Sequence, residues 1–451
     1  MARTRIRKTA LSLAVAGVFA GGVSQAHASA FALIEQNASG LGNSYAGAAA
    51  ATEDASTIFY NPAGMSLLPP GMQISAGAAL INVSLKFSDS GSQPSGTALV
   101  PVNPAAARPL GGTGGDAGSL AMVPNLYFAT DVMRDLKAGV GISVPFGLKT
   151  EYAADWMGRF QAIKSEVTTF NVNPSLSYRV SDTISLGGGF NYQQLDAELT
   201  KAVNYVAAAF AAGGAPAAAA VPAANAEGPV SVKGKDSAWG FNLGAMFQLA
   251  PETRLGVSYR SSIKYHVKGT VTFSNAPAVL GNLDGNVNLD IEVPDSASVA
   301  LQHKLNQQWT LLADVTWTGW SKIKQLQIVR DTGQALDTTR ENFKNTWRVG
   351  VGAVHRYDDA WTMKMGLAYD QTPVNDTDRT ARLPDSNRLW LSFGGQYKLS
   401  KDGTLDFGYA HLFIKDAPIN QDAGNATAFG QLVGTYKGSI DILGVQYAHR
   451  F

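Results

Sequence analysis

The chain closes on Leu443-Gly444-Val445-Gln446-Tyr447-Ala448-His449-Arg450-Phe451. In an extended strand, alternate side chains point to opposite faces. Leu443, Val445, Tyr447 and Phe451 therefore share one face, and Gly444, Gln446 and Arg450 share the other. A strand that is apolar on one side, polar on the other and flush with the chain end reads as the last strand of a transmembrane β-barrel. A soluble edge strand can carry the same alternation, so the rest of the chain must decide.

The period of two recurs from about residue 70 onward. Trp239, Phe241, Leu243, Ala245 and Phe247 alternate with Gly240, Asn242, Gly244 and Met246, and Leu255, Val257 and Tyr259 alternate with Arg254, Gly256, Ser258 and Arg260. Phe170, Val172, Leu176 and Tyr178 alternate with Asn171, Asn173, Ser175 and Arg179, and the stretch from Leu389 to Leu399 behaves alike. The polar faces carry too much charge for a packed core, which is the pattern of a barrel wall in a membrane. Glycine is abundant, at 47 residues, and is strewn through these segments instead of being gathered into linkers. Inward glycines make room in a lumen.

Short turns are expected near Asp131 to Asp135, Ser181-Asp182, Ala250 to Thr253, Leu305 to Gln308, Asp358-Asp359 and Lys401 to Gly403. Longer polar or Gly/Pro-rich loops are expected at 89–117, 149–161, 202–236, 275–286, 331–342, 374–386 and 416–434. Six turns and seven loops connect fourteen strands. Short turns on one side and long loops on the other is the periplasmic/extracellular asymmetry of outer-membrane barrels. Closure is required because an open edge in lipid leaves backbone groups unpaired. The expected fold is thus all-β, a 14-stranded antiparallel transmembrane barrel. Within 202–236, Ala207 to Ala212 and Ala217 to Ala220 are candidate short helices, either a low-complexity spacer or an apolar lip above the barrel mouth.

The N-terminus fits a secreted chain. Arg3, Arg5, Arg7 and Lys8 precede an apolar run from Leu11 to Val23, and Ala26-His27-Ala28 is a cleavage signal, so residues 1–28 read as a signal peptide. The apolar run is too short to span a bilayer. The C-terminal strand resembles the assembly signal read by the outer-membrane barrel assembly machinery, with His449 standing where such signals usually carry an apolar residue. There are no cysteines, which excludes disulfides, thiol nucleophiles and Cys-ligated metal. The formal charge of +1 becomes about −3 once the leader cations are removed, so no basic field attracts nucleic acid.

Residues 29–68 do not alternate. About forty residues ahead of a first strand are too many for a tail and too few for a domain, and their physical use is a plug inside the lumen. The expected division is a hatch at 29–68 and a barrel at 69–451.

Here the chain resembles the FadL/TodX-type outer-membrane transporters of long-chain fatty acids and hydrocarbons. Matching features are Phe31, Ser39-Gly40-Leu41-Gly42, Gly47, Asp54-Ala55 and Asn61-Pro62-Ala63 in the hatch. In the wall they are Trp239-Gly240-Phe241, Tyr259-Arg260-Ser261, Trp320-Ser321, Pro384-Asp385 and Arg388-Leu389-Trp390. The resemblance covers essentially the whole mature chain. It implies a fourteen-stranded barrel with an N-terminal hatch, loop capture of ligand, an inner apolar pocket touching the hatch, and exit sideways through a gap in the third strand. It implies no ATP or ion coupling and no cofactor. The expected partners are a hydrophobic small molecule and outer-membrane lipid, with the protein a monomer.

Several residues carry these expectations. Phe31 is expected at the inner pocket, and Asn61, Pro62 and Ala63 between hatch and wall. Pro145, Phe146 and Gly147 mark the lateral opening, because proline removes a ladder donor and has no place in a regular central strand. A strand end at the rim explains Pro145 equally simply, and Pro124 and Pro174 also fall in strand segments. A fatty acid carboxylate needs a cation in a drying pocket. Arg260, Lys322, Lys324, Arg330 and Arg348 are candidates, though inward cations in barrels commonly pair with acids such as Asp314 and Asp406. Where the family places a lysine after Trp-Ser, this chain aligns Gln327, which gives weight to an uncharged aromatic or alkane substrate.

An enzyme is not expected. No G-x-S-x-G or H-E-x-x-H motif accompanies the histidines, which leaves a barrel lipase without support. Gly350-Val351-Gly352 lies in an alternating strand and is no nucleotide loop. Asp284, Asn286, Asn288 and Asp290 lack the EF-hand glycine, so no metal site is expected. A general porin would have no hatch, and an adhesin would carry larger loops.

Overall fold

The computed structural model describes residues 30–422 and 427–451, and the leader at 1–28 falls outside them. Fourteen wall strands run in chain order. They are β1 (Gln73–Asp89), β2 (Leu120–Met133), β3 (Leu136–Ser143, continued by Gly147–Glu151), β4 (Lys164–Arg179) and β5 (Ile184–Asn204). Next come β6 (Glu227–Ala250), β7 (Thr253–Arg260 and Ile263–Phe273), β8 (Gly285–Val293 and Ser296–Lys304) and β9 (Trp309–Thr318 and Gln325–Arg330). The last are β10 (Ala335–Arg340 and Thr346–Arg356), β11 (Trp361–Asp370), β12 (Arg388–Lys398), β13 (Gly403–Ile414 and Ala417–Gln421) and β14 (Leu432–Arg450). Each pairs antiparallel with its chain neighbour, and β14 returns to β1 from Gln73↔Arg450 to Asp89↔Gly434. The ring is closed, so neither terminal strand leaves an edge in lipid.

The alternation explains the two faces. Leu443 and Val445 are more than half exposed on the outside, while Gln446, next to Val445, is buried in the lumen. Aromatic pairs gird the end that carries the short turns: Trp309 on His355 at 4.3 Å, Trp361 on Tyr397 at 4.6 Å, and His449 between Tyr447 and Phe451. Such belts sit at membrane interfaces. His449 is therefore seated as an aromatic among aromatics, which accounts for its place in the terminal strand.

All six short turns fall where the sequence puts them. The long loops are shorter than expected in several places, and within 416–434 Ala417–Gln421 pairs with the start of β14. Ala335–Arg340 pairs with Gln325–Arg330, so only 331–334 is a turn within 331–342. Likewise β5 reaches Asn204 and β6 begins at Glu227. These extensions carry Asp337, Lys233, Lys235 and Asp236. Strands clear of the lipid need no apolar outer face, so they read as polar loop. The eleven residues Thr346–Arg356 already suffice to span a bilayer. Between Asn204 and Glu227 a helix, Tyr205–Ala219, bends at Gly213-Gly214 and packs on Leu99, Ala106 and Val221.

Residues 30–68 lie inside the ring. Asn61 Nδ2 donates to the carbonyls of Ala245 (3.1 Å) and Val257 (3.3 Å), on β6 and β7, and to Ala49 (2.7 Å). Inward glycines admit this segment. A Cβ at Gly244 would overlap the Asn61 side chain, one at Gly256 the Ala49 carbonyl, and one at Gly366 the backbone of Asn43.

Candidate functional site

Beside the hatch the wall ladder is interrupted on both sides of β3. In β3 the pairing with β4 runs to Ser143↔Asn171 and resumes at Gly147↔Thr168, while β2 pairs with β3 only as far as Leu126↔Ile142. Pro145 stands in the gap and cannot donate. The other backbone groups still need partners, because an unpaired group at membrane depth is costly. Gln36 supplies two of them. Its Nε2 donates to Val144 O (2.7 Å) and its Oε1 accepts from Val144 N (3.1 Å). Thr169 Oγ1 accepts from Phe146 N (2.9 Å) and donates to Phe146 O (2.7 Å). Leu33 N donates to Pro145 O, and Gly147 N donates to Phe31 O, both at 2.8 Å. Phe31 to Leu33 thus lies along the break as a short strand, with Ala32 opposite Phe146.

An aromatic cluster forms at the same spot. Phe31 meets Trp320 edge-on at 4.8 Å and Phe146 at 5.8 Å, and Trp320 meets Phe343 at 6.1 Å. Below it lies a cavity of about 170 Å³ between the hatch residues Leu33, Ile34, Tyr45 and Tyr60 and the wall residues Arg260 and Arg348. Pro145, Phe146 and Trp320 close its upper side. Above the cluster a second cavity, about 60 Å³, is walled by Leu148, Val167, Leu195, Leu289 and Ile291, with Phe31 at its floor. Phe31 and its ring partners stand between a mixed lower chamber and an apolar upper one.

The five candidate cations separate. Arg260 lines the lower cavity, but Nη1 donates to Asn191 Oδ1 (2.5 Å) and Nη2 to Phe59 O (2.9 Å), with the guanidinium 4.4 Å from the Phe59 ring. Arg348 also lines it. Its Nη2 donates to Ser44 O, its Nη1 lies 3.5 Å from Asp314, and Nε and Nη1 have no hydrogen-bond partner among the described residues. Lys322 is held by Asp295 at 2.6 Å, Arg330 donates to Leu283 O at 2.7 Å, and Lys324 is exposed. None of these three lines either cavity. Gln327 is exposed on the outer hairpin and lines neither, so the missing lysine says nothing about carboxylate binding.

Several site residues escaped the reading of the sequence, Gln36 of the hatch among them. Trp320 was visible only as half of a Trp-Ser motif. Arg382 lies beside Pro384-Asp385, a signal that could have drawn attention to it, and Glu341 follows a strand and carries no motif at all. The hatch also carries Glu35, fully buried with neither carboxylate oxygen bonded by another side chain among the described residues. Burial pushes its carboxyl up to about 7, against the pull of Arg388 and Arg348.

Comparison with known proteins agrees with this architecture. A family model described as outer membrane protein transport protein (OMPP1/FadL/TodX) matches residues 19–451. The long-chain fatty acid transport protein of Escherichia coli K12 is 28% identical, over 95% of this chain and 98% of its own. A FadL homologue of Pseudomonas aeruginosa superposes with a TM-score of 0.85 at 24% identity, covering 94% of this chain and all of that one. The toluene transporter TodX of Pseudomonas putida gives 0.68 at 19%, with the same coverage. The last two share the fold.

Proposed function

The chain belongs to the OMPP1/FadL/TodX family of outer membrane transport proteins, and from that premise we propose that it takes up hydrophobic molecules passively, long-chain fatty acids first. Ligand is captured among the outer loops, enters the upper cavity, passes the Phe31 cluster as the hatch edge moves, and leaves sideways at Pro145-Phe146-Gly147. The observation that carries this reading is the break in β3, whose backbone groups are held by Gln36 and Leu33 of the hatch. Withdrawing that edge would open the wall and the cavity together.

A lateral route has a physical advantage. Each CH₂ released into water instead of lipid costs about 0.8 kcal/mol. A path into the bilayer avoids that penalty for the whole chain. The curated relative named for long-chain fatty acid transport supports the substrate class.

Uptake tests the function. A clean deletion strain without a paralogue should lose growth on oleate, and the cloned chain should restore it. Unchanged uptake of fatty acids, alkanes and alkylbenzenes alike in the deletion would refute hydrophobic transport. Liposomes carrying the protein should not swell in small sugars, as porin liposomes do.

A further inference from the structure

Glu341 and Arg382 line the same upper cavity, and both are buried. Arg382 lies in the loop between β11 and β12, and its Nη1 donates to Ser165 Oγ (3.1 Å) and Lys164 O (3.4 Å). Glu341 follows Ala335–Arg340, and its Oε2 has no hydrogen-bond partner among the described residues. Opposite charges buried around one cavity usually pair directly, since an uncompensated buried charge is costly. Here no ion pair joins them among the described residues. The rest of the lining is almost wholly apolar.

We propose that Glu341 and Arg382 form a head-group site, taking the carboxylate of a long-chain carboxylic acid whose tail lies along Leu148, Val167, Leu195, Leu289 and Ile291. The inference rests on the hydrophobic-uptake reading and narrows its substrate class. A carboxylate offers acceptors only. Arg382 supplies a fixed cation. Burial pushes the Glu341 carboxyl up to about 8, so near neutrality it is an acid whose O–H can donate. One charge-assisted bond and one O–H donor match one carboxylate. An alkane or alkylbenzene would fill the cavity and leave Glu341 Oε2 without a partner, a mismatch that disfavours it.

The groups facing Glu341 are Arg382 and Asp378 from the β11–β12 loop. Asp337 of its own hairpin is held by Lys201 of β5 at 2.8 Å. Above pH 8, Glu341 ionises and repels a bound carboxylate.

The test is binding of radiolabelled oleate and oleyl alcohol, which share a tail, to the full-length protein in non-ionic detergent at pH 7 and pH 9. Oleate should bind about tenfold or more tightly than the alcohol at pH 7. Arg382→Gln should bring oleate to the level of the alcohol and leave the alcohol unchanged. Glu341→Gln, which keeps a donor, should retain oleate and abolish its weakening between pH 7 and pH 9. Equal binding of the two ligands to the unaltered protein, or a parallel loss of both in Arg382→Gln, would overturn the head-group site while hydrophobic uptake stands. Absence of binding by either ligand would instead refute the uptake reading. Should Arg382→Gln not fold, the two-ligand comparison and Glu341→Gln decide the matter.

Discussion

Two of the contacts between hatch and wall are built differently. Toward β11, β12 and β13 the ladder is continuous, and hatch backbone lies directly on wall glycines: Asn43 on Gly366, and Gly42 on Gly394 and Gly408. Lys364 locks this side. Its Nζ donates to Ser39 O (2.8 Å) and reaches Glu53 (2.5 Å) and Asp406 (3.3 Å). Toward β3 the ladder is broken, and the contacts are single hydrogen bonds and ring edges. Backbone pressed on backbone with a buried charge between is an anchor. Hydrogen bonds that water can replace, beside a cavity, are a latch. The difference assigns motion to residues 30–36 and fixity to the remainder.

Loss of the anchor should have the largest effect. Lys364→Met leaves Asp406 buried without its cation, and breaking such a pair costs about 3–5 kcal/mol. Hydrogen exchange across residues 37–60 should rise sharply while the barrel stays heat-modifiable on gels; unchanged protection there would remove the distinction between anchor and latch. Next, Gly366→Val presses a side chain into Asn43 backbone, and overpacking of this kind costs about 1–3 kcal/mol. The same amides should exchange faster, and the corresponding substitution at exposed Gly333, where nothing lies nearby, should have no effect on them.

The smallest effect concerns the latch and pH. Glu35 is raised from 4.5 to about 7 by burial, with Arg388 and Arg348 lowering it and Asp370 raising it. The seated hatch therefore binds a proton that the released hatch gives up between these values. Seating is firmest below about 4.5, weakens as pH rises, and has lost this contribution above about 7. Protection factors of residues 31–36 should be higher at pH 5 than at pH 8, and Glu35→Gln should flatten the difference. An equal pH response in both proteins would show that Glu35 does not govern the latch.

The two sides were not equally legible in the sequence. The wall announced itself because a lipid face imposes strict alternation, and residues such as Leu443 and Gln446 have no freedom to exchange places. Its count followed from turns that must be short. The outer extensions were hidden, since Asp337 and Lys235 stand on strands that no longer meet lipid. The hatch was legible as an interruption of the period, but its partners were not. Gln36 reads as an ordinary polar residue until Val144 is seen to need both a donor and an acceptor. Arg382 and Glu341 come together only because the β11–β12 loop turns inward, a tertiary fact that local spacing does not encode. Pro145 was visible as an anomaly, yet Pro124 and Pro174 carry the same signal in strands that stay paired on one side, with β1 and β3 respectively.

The central claim is that the hatch edge must leave the β3 break for ligand to pass. Ala32 and Phe146 face each other across it as a non-hydrogen-bonded antiparallel pair. Such pairs hold their Cα atoms about 4.5 Å apart, within reach of a disulfide. The chain has no cysteine to interfere. With Ala32→Cys and Phe146→Cys introduced together, oleate uptake should stop on oxidation and return on reduction, while each single variant transports under both conditions. Undiminished uptake with the disulfide fully formed would contradict the account and point to a straight path through the hatch.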